Sequence, residues 1–293
     1  MTKGTVSSGL IIVDKPAGIT SHDVVARMRK IVGTRKIGHA GTLDPMATGI
    51  LVLGVEKATK LLGYVMGHDK TYAATVRLGE RTTTDDREGE TVDRTDASGL
   101  TEQQIRDAFA TQVGRISQVP SAVSAIKVAG RRAYDLVREG VQVDLAAREV
   151  DVHAINVSRI ELGAVADVDI TVRCSAGTYI RAIARDAGDR LGVGGHLTAL
   201  RRTASGAVDE SVALTLEQIA DLDDPVAVPL DEAVRRTFAV RALTAEQARE
   251  LSFGRAIGGD GGADEGLGAV APDGRAIALV DGRGKPRVVF APA

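Results

Sequence analysis

Apolar and polar positions alternate with two different periods along this 293-residue chain, and the periods mark out its elements. The run Leu10-Ile11-Ile12-Val13 predicts a buried strand, and Asp14-Lys15-Pro16-Ala17-Gly18 after it predicts a turn. Thr20-Ser21-His22-Asp23 then offers a helix cap. Val24, Val25, Met28, Ile31 and Val32 fall at helical spacing until Gly33 ends the run. Ile50 to Leu53 predicts a second buried strand. Tyr72 to Leu78 alternates strictly and places Tyr72, Ala74, Val76 and Leu78 on one face. Val168 to Ser175 alternates in the same way, with Cys174 on its apolar side, where a thiol is inert packing material.

Helix signals separate these strands. Thr101-Glu102-Gln103-Gln104 and Thr215-Leu216-Glu217-Gln218 are capping-box patterns, the first opening a helix that buries Ile105, Ala108 and Phe109. Ile180, Ile183, Ala184 and Ala187 predict a helix closing near Gly192. The polar run from Gly79 to Asp93 suits a long hairpin connection. Strands and helices do not alternate regularly, so the expected class is α+β. Near residue 236 the pattern changes. A capped helix (Thr244 to Leu251), a glycine-rich acidic tract (Gly258 to Gly268) and short strands at 276–280 and 287–290 follow. The expected division is 1–235 for a large domain and 236–293 for a small β-rich one, about 55 residues and close to the lower limit for an independent core.

Composition narrows the function classes. No stretch approaches the roughly 20 apolar residues of a membrane span, and the apolar run after Met1 is too brief for a secretory signal. A single cysteine and five scattered histidines give no disulfide and no metal-site spacing. The expectation is a cytoplasmic, metal-free monomer without a cofactor. The net charge of -2 hides clusters at Arg27 to Lys30, Arg35-Lys36, Arg131-Arg132 and Arg201-Arg202, and phosphates respond to the face they meet, not to the sum.

The candidate chemistry lies in Gly38-His39-Ala40-Gly41-Thr42-Leu43-Asp44-Pro45-Met46-Ala47-Thr48-Gly49. Its glycines permit tight backbone turns and Pro45 holds Asp44 toward an extended conformation, so the segment reads as a shaped loop carrying one carboxylate. The glycine-rich acidic tract lacks a following lysine and is no phosphate cradle.

Four separated motifs then fall in one order. They are Val13 to Gly18, the Asp44 loop, Ser124 to Gly130 with Tyr134, Arg138 and Gly140, and Gly177 to Arg181 trailed by His196-Leu197, Leu200, Arg201 and Arg202. Together with Lys70-Thr71-Tyr72, these closely resemble the bacterial tRNA pseudouridine-55 synthases, from about Gly9 to Gly206. The tail from about Phe238 is more weakly similar to the small RNA-binding (PUA) domain of that family.

The resemblance implies a pseudouridine synthase fold with a PUA-like tail, and tRNA (its T arm) as partner. The target uridine is flipped out of the RNA, its bond to the sugar is broken, and the base is rejoined through carbon. Asp44 matches the family's essential aspartate, which either attacks the sugar carbon or removes a sugar proton. Arg181 matches the arginine that pairs with it and keeps it ionised in a dry pocket. Tyr72 matches the tyrosine that stacks on the uracil, a contact of ~1–3 kcal/mol. Tyr179 and Leu200 match pocket walls. His39 matches the ring that enters the T loop, and Lys15 braces the active-site floor or reaches RNA backbone. Lys127, Arg131, Arg132, Arg201 and Arg202 are candidates for phosphate contacts. The rival readings are another pseudouridine synthase subfamily using the same aspartate on a different RNA, a noncatalytic RNA-binding or tRNA-folding protein, which has no need of Asp44, and a glycosidase-like hydrolase, which needs two partnered carboxylates.

Overall fold

The computed structural model describes residues 6–121, 127–128, 131–132, 146–259, 261 and 266–292. Ser124, Ala125, Ile126, Ala129, Gly130, Tyr134, Arg138 and Gly140, and much of the acidic tract, lie outside them, as do the side chains of Lys127, Arg131 and Arg132. In chain order the main strands are β1 (Gly9–Lys15), β2 (Ile37–Ala40), β3 (Thr48–Val55), β4 (Lys70–Leu78), β5 (Gly114–Gln118), β6 (Arg148–Glu161), β7 (Ala166–Cys174), β8 (Gly195–Ser205), β9 (Val240–Ala242), β10 (Leu267–Val270), β11 (Ala276–Val280) and β12 (Pro286–Val289). The main helices are α1 (Ser21–Val32), α2 (Glu102–Ala110), α3 (Ile180–Arg190), α4 (Leu230–Thr237) and α5 (Ala245–Ser252).

The chain divides into two compact units. One comprises Met1–Asp44, Gly49–Gly67 and Ala207–Ala293, and the other Pro45–Thr48 and His68–Gly206. In the first, β3 pairs antiparallel with β1 on one side and with β2 on the other. The Thr20 hydroxyl and the Asp23 carboxylate cap α1 reciprocally, and Gly33 closes it at φ 72°. Leu10, Ile12, Ile50 and Val52 form a core that continues through Val234 of α4 into Ala276, Leu279 and Phe290 of the C-terminal sheet.

That C-terminal sheet runs β9-β10-β11-β12, with β9 and β10 parallel. Its other face carries a second core, Leu251, Ala269, Ile277 and Val280 among its members. Sharing one core with the N-terminal strands explains how a module so near the lower size limit keeps its shape. Lys60 ties it further by donating to the Val289 carbonyl at 2.6 Å, and Tyr64 meets Phe238 edge-to-face at 5.0 Å.

In the second unit the order is β8-β4-β7-β6-β5, each neighbour antiparallel. The alternation read along β4 is present in full: Lys70, Tyr72, Ala74, Val76 and Leu78 are buried. Cys174 is completely buried and its thiol is pushed up to about 11 by desolvation, so it stays protonated. The α+β expectation thus holds, with a small β-rich module at the C-terminus.

Two expectations are corrected in detail. The Asp44 segment is a loop only from Gly41 to Ala47, because Gly38 and His39 lie in β2 and pair with Gly54 and Leu53. The connection from Gly79 to Asp93 holds only a short hairpin, and Asp86 within it is interior, 2 % exposed.

Helix α3 approaches β8 so closely that a Cβ on Gly188 would stand 2.2 Å from the backbone carbon of Gly194. Backbone cannot yield as a flexible side chain does. Gly188→Ala is expected to cost about 1–3 kcal/mol by overpacking, read as a lower urea midpoint at unchanged m-value.

Candidate active site

Lys15 ends β1 fully buried, and its ammonium donates to the Pro16 carbonyl at 2.9 Å. Gly18 reverses the chain at φ 83° so that α1 starts immediately behind it. The first residue of α1, Ser21, is completely buried and works on the loop rather than on its own helix. Its hydroxyl donates to the Leu43 carbonyl at 3.1 Å and accepts from the Leu43 N–H at 2.8 Å. Both backbone groups of the residue before Asp44 are thereby fixed. His39, on β2, meets His22 edge-to-face at 5.3 Å between ring centres.

In the second unit Tyr72 stands on β4 between Val172 of β7 and Arg202 of β8. Leu200 is buried opposite Ala74. Arg202 is 1 % exposed, so this cation is interior, whereas Arg201 is half-buried and reaches the Thr48 hydroxyl at 3.5 Å. Lys70 is buried on the same face as Tyr72, and its ammonium donates to the His68 carbonyl. Desolvation first, and the Arg202 charge second, bring the Lys70 ammonium down to about 8.

Tyr179 is the residue before α3, which begins two residues after the turn at Ala176 and Gly177. The buried amide of Gln118 accepts from the Tyr179 N–H at 3.0 Å and donates to its carbonyl at 3.3 Å. That fixes the entry to α3 two residues before Arg181. The Arg181 guanidinium is buried and donates to the Thr84 carbonyl at 3.0 Å and to the Asp86 carboxylate at 3.3 Å.

Asp86 is held in its turn: the Thr84 hydroxyl and the Glu88 N–H donate to its carboxylate, and the Thr82 hydroxyl donates to its carbonyl. The sequence reading missed Asp86, Ser21 and Gln118 as site residues. Asp86 lies in the polar run that reads only as a hairpin connection, and a buried Ser or Gln leaves no pattern. Among the described residues no cluster of three or more His, Cys, Asp or Glu side chains could hold a metal ion, and no helix is long and apolar enough to cross a membrane.

Three family models match in succession. The TruB family pseudouridylate synthase N-terminal domain covers residues 29–180, the tRNA pseudouridylate synthase B C-terminal domain 181–236, and the tRNA pseudouridine synthase II C-terminal domain 238–291. The chain is 54% identical to a tRNA pseudouridine synthase B of an Arthrobacter species (strain FB24), covering 98% of this chain and 97% of that one. It is 53% identical to one of a Mycobacterium species (strain KMS), over 100% and 99% of the two chains. Among solved structures, a chain of a Cbf5-Nop10-Gar1 complex superposes with a TM-score of 0.75 at 26% identity, over 97% of this chain and 85% of that chain.

Ser21→Ala leaves the buried N–H and carbonyl of Leu43 unpaired, at about 1–3 kcal/mol. The expected result is a lower melting temperature and a slower reaction at unchanged affinity for RNA. A second expectation concerns pH. With its proton affinity depressed in the fold, Lys70 makes the unfolded chain bind more protons between about pH 8 and 10.5, so stability rises with pH across that window. Lys70→Met should flatten this rise, measured by urea unfolding from pH 7.5 to 10.5.

Proposed function

This chain belongs to the TruB family of pseudouridylate synthases and isomerises uridine to pseudouridine in tRNA, and from that premise we propose that its target is the uridine of the T loop. In this reading it binds the T arm as a monomer in the cytoplasm, without cofactor or metal. The carboxylate of the reaction is Asp44. The observation that carries this assignment is the Ser21 clamp: a buried hydroxyl spends both its donor and its acceptor on the backbone of Leu43. A loop that only turned the chain would not need its backbone fixed on both sides of one residue.

Each remaining residue has a chemical part. Isomerisation needs a carboxylate that stays ionised after water is excluded, and a guanidinium, charged at any working pH, secures this. Arg181 is that cation, and Asp86 and the Thr84 carbonyl hold it in place. Tyr72 stacks on the flipped base, with Tyr179 and Leu200 walling its pocket. His39 fills the space the base leaves. Lys15 braces the floor of the site, as its complete burial supports. Lys127 and Arg201 take phosphates. Arg202, though it stands beside Tyr72, is buried, which supports a part in shaping the pocket over one in holding phosphate. PUA-like binding by residues 236–293 adds a second hold on the RNA.

Tritium release from tRNA labelled at carbon 5 of its uridines tests the reading. Wild type should release one equivalent, Asp44→Asn none, and a tRNA with its T-loop uridine replaced none. Release from the altered tRNA would move the target. Retained activity in Asp44→Asn would remove the carboxylate from the chemistry. Tyr72→Phe should still bind tRNA while turning over more slowly, and a normal rate would leave its hydroxyl no part.

A further inference from the structure

Asp85 and Arg185 have no place in that reading, yet the fold makes an unusual provision for them. Helix α3 carries Arg181 and Arg185 one turn apart, hence on one face. They meet consecutive residues of a single loop. Arg181 holds Asp86, and Arg185 holds Asp85 at 3.3 Å. In an extended chain, consecutive side chains point to opposite sides, so two adjacent aspartates cannot both turn toward one helix face unless the backbone twists between them. It does: Asp85 adopts a left-handed conformation, φ 58°, one of two non-glycine residues with positive φ among those described.

That conformation is unfavourable for a residue with a Cβ, although aspartate and asparagine tolerate it best. Glycine would adopt it without strain. The aspartate is therefore explained by its carboxylate and not by its backbone. Other bonds lock the same place: the Leu197 N–H donates to the Asp85 carbonyl at 3.0 Å, and the Asp85 N–H donates to the Thr82 carbonyl at 3.3 Å. Arg185 also reaches outward, donating to the Val119 carbonyl at 2.8 Å and to Asp186 at 2.8 Å. One guanidinium thus ties the loop, the helix and the residue that follows β5 together.

We propose that Asp85 and Arg185 are a positioning pair for the isomerisation: by clamping the loop to α3 one turn beyond Arg181, they set the placement of Asp86 and, through it, of the Arg181 guanidinium. Neither residue touches substrate. The pair lies at the rim, with side chains 18 % and 22 % exposed, while the Arg181–Asp86 pair is interior. The inner pair holds the Arg181 guanidinium that serves the reaction, and the outer pair fixes its geometry. This rests on the assignment of Arg181 to the reaction made above.

The test compares single-turnover pseudouridine formation, tRNA affinity by filter binding and melting temperature. The proteins are wild type, Asp85→Asn, Asp85→Gly, Arg185→Gln, the Asp85→Asn/Arg185→Gln double variant, and Asp44→Asn. A small misplacement of a catalytic group costs up to about a hundredfold in rate. Asp85→Asn and Arg185→Gln should each slow the reaction by about ten- to a hundredfold at unchanged affinity. The double variant should be no slower than the slower single one, because the pair acts as a unit.

Asp85→Gly separates positioning from mere stability. Relief of the backbone strain should keep or raise its melting temperature, while its rate falls with that of Asp85→Asn. A wild-type rate in Asp85→Gly and Asp85→Asn would overturn the proposal. So would a rate loss matched by weaker tRNA binding, which would make the pair an RNA contact, or one that only follows the melting temperature. The assignment of Arg181 and Asp44 fails separately, if wild type forms no pseudouridine or Asp44→Asn still forms it.

Discussion

A charged guanidinium in a dry interior is the constraint that orders the second unit. Arg181 cannot shed its charge, so burial obliges the fold to surround it with acceptors. The Thr84 carbonyl and the Asp86 carboxylate do so, and they lie in one loop. Removing one member of such a pair costs about 3–5 kcal/mol, since the other charge is left buried and uncompensated. The loop must therefore stay packed on α3 for the arginine to stay inside. The Thr84 hydroxyl and the Glu88 N–H meet that demand at the Asp86 carboxylate, and the Thr82 hydroxyl meets it at the Asp86 carbonyl.

A second device recurs in each unit. Ser21 bonds both the N–H and the carbonyl of Leu43, and Gln118 bonds both the N–H and the carbonyl of Tyr179. In each case a buried polar side chain bonds both main-chain groups of one residue, and the Tyr179 carbonyl also accepts from the Ile183 N–H at 3.3 Å. The residues so fixed stand one and two positions before Asp44 and Arg181. A loop held at both backbone groups loses the freedom that would otherwise blur a side chain's aim, and a precise aim is worth most where charge develops in a transition state. Asp44 thus follows a residue whose loop backbone is held, and Arg181 sits in the first turn of a helix whose entry is held in the same way.

What could be read from the sequence follows from where period survives. On β4 the strict alternation from Tyr72 to Leu78 foretold the buried face, and four capping boxes (at Thr20, Thr101, Thr215 and Thr244) stand where their residue types placed them. Strand β8, which carries Leu200, Arg201 and Arg202, gave no such signal. Its ladder slips between Leu197 and Ala199 and again between Arg202 and Ala204, and each slip moves the following side chains to the other face. Strand β6 was lost for the same reason, with slips at Val152/Ala154 and Val157/Arg159 and a largely exposed surface. Motif resemblance singled out Asp44, Tyr72 and Arg181 as candidates. The clamps Ser21, Gln118 and Asp86 act through single hydrogen-bonding groups on distant backbone, which no local pattern encodes.

The C-terminal module shows what the change of pattern near residue 236 could and could not reveal. Its composition marks a boundary, but its energetics do not. Ala276, Leu279 and Phe290 complete a core whose other members are Leu10, Ile12, Ile50 and Val52, so the last strands are needed to cover the first. Asp231 of α4 reinforces the junction by accepting from the Ala276 N–H at 2.7 Å. Burial of apolar surface is the chief favourable term in folding, and here it is held in common by the two ends of the chain. Strand β1, which ends in the buried Lys15, is thereby stabilised by residues more than two hundred positions away. The C-terminal module and the strand that ends in Lys15 share one hydrophobic core.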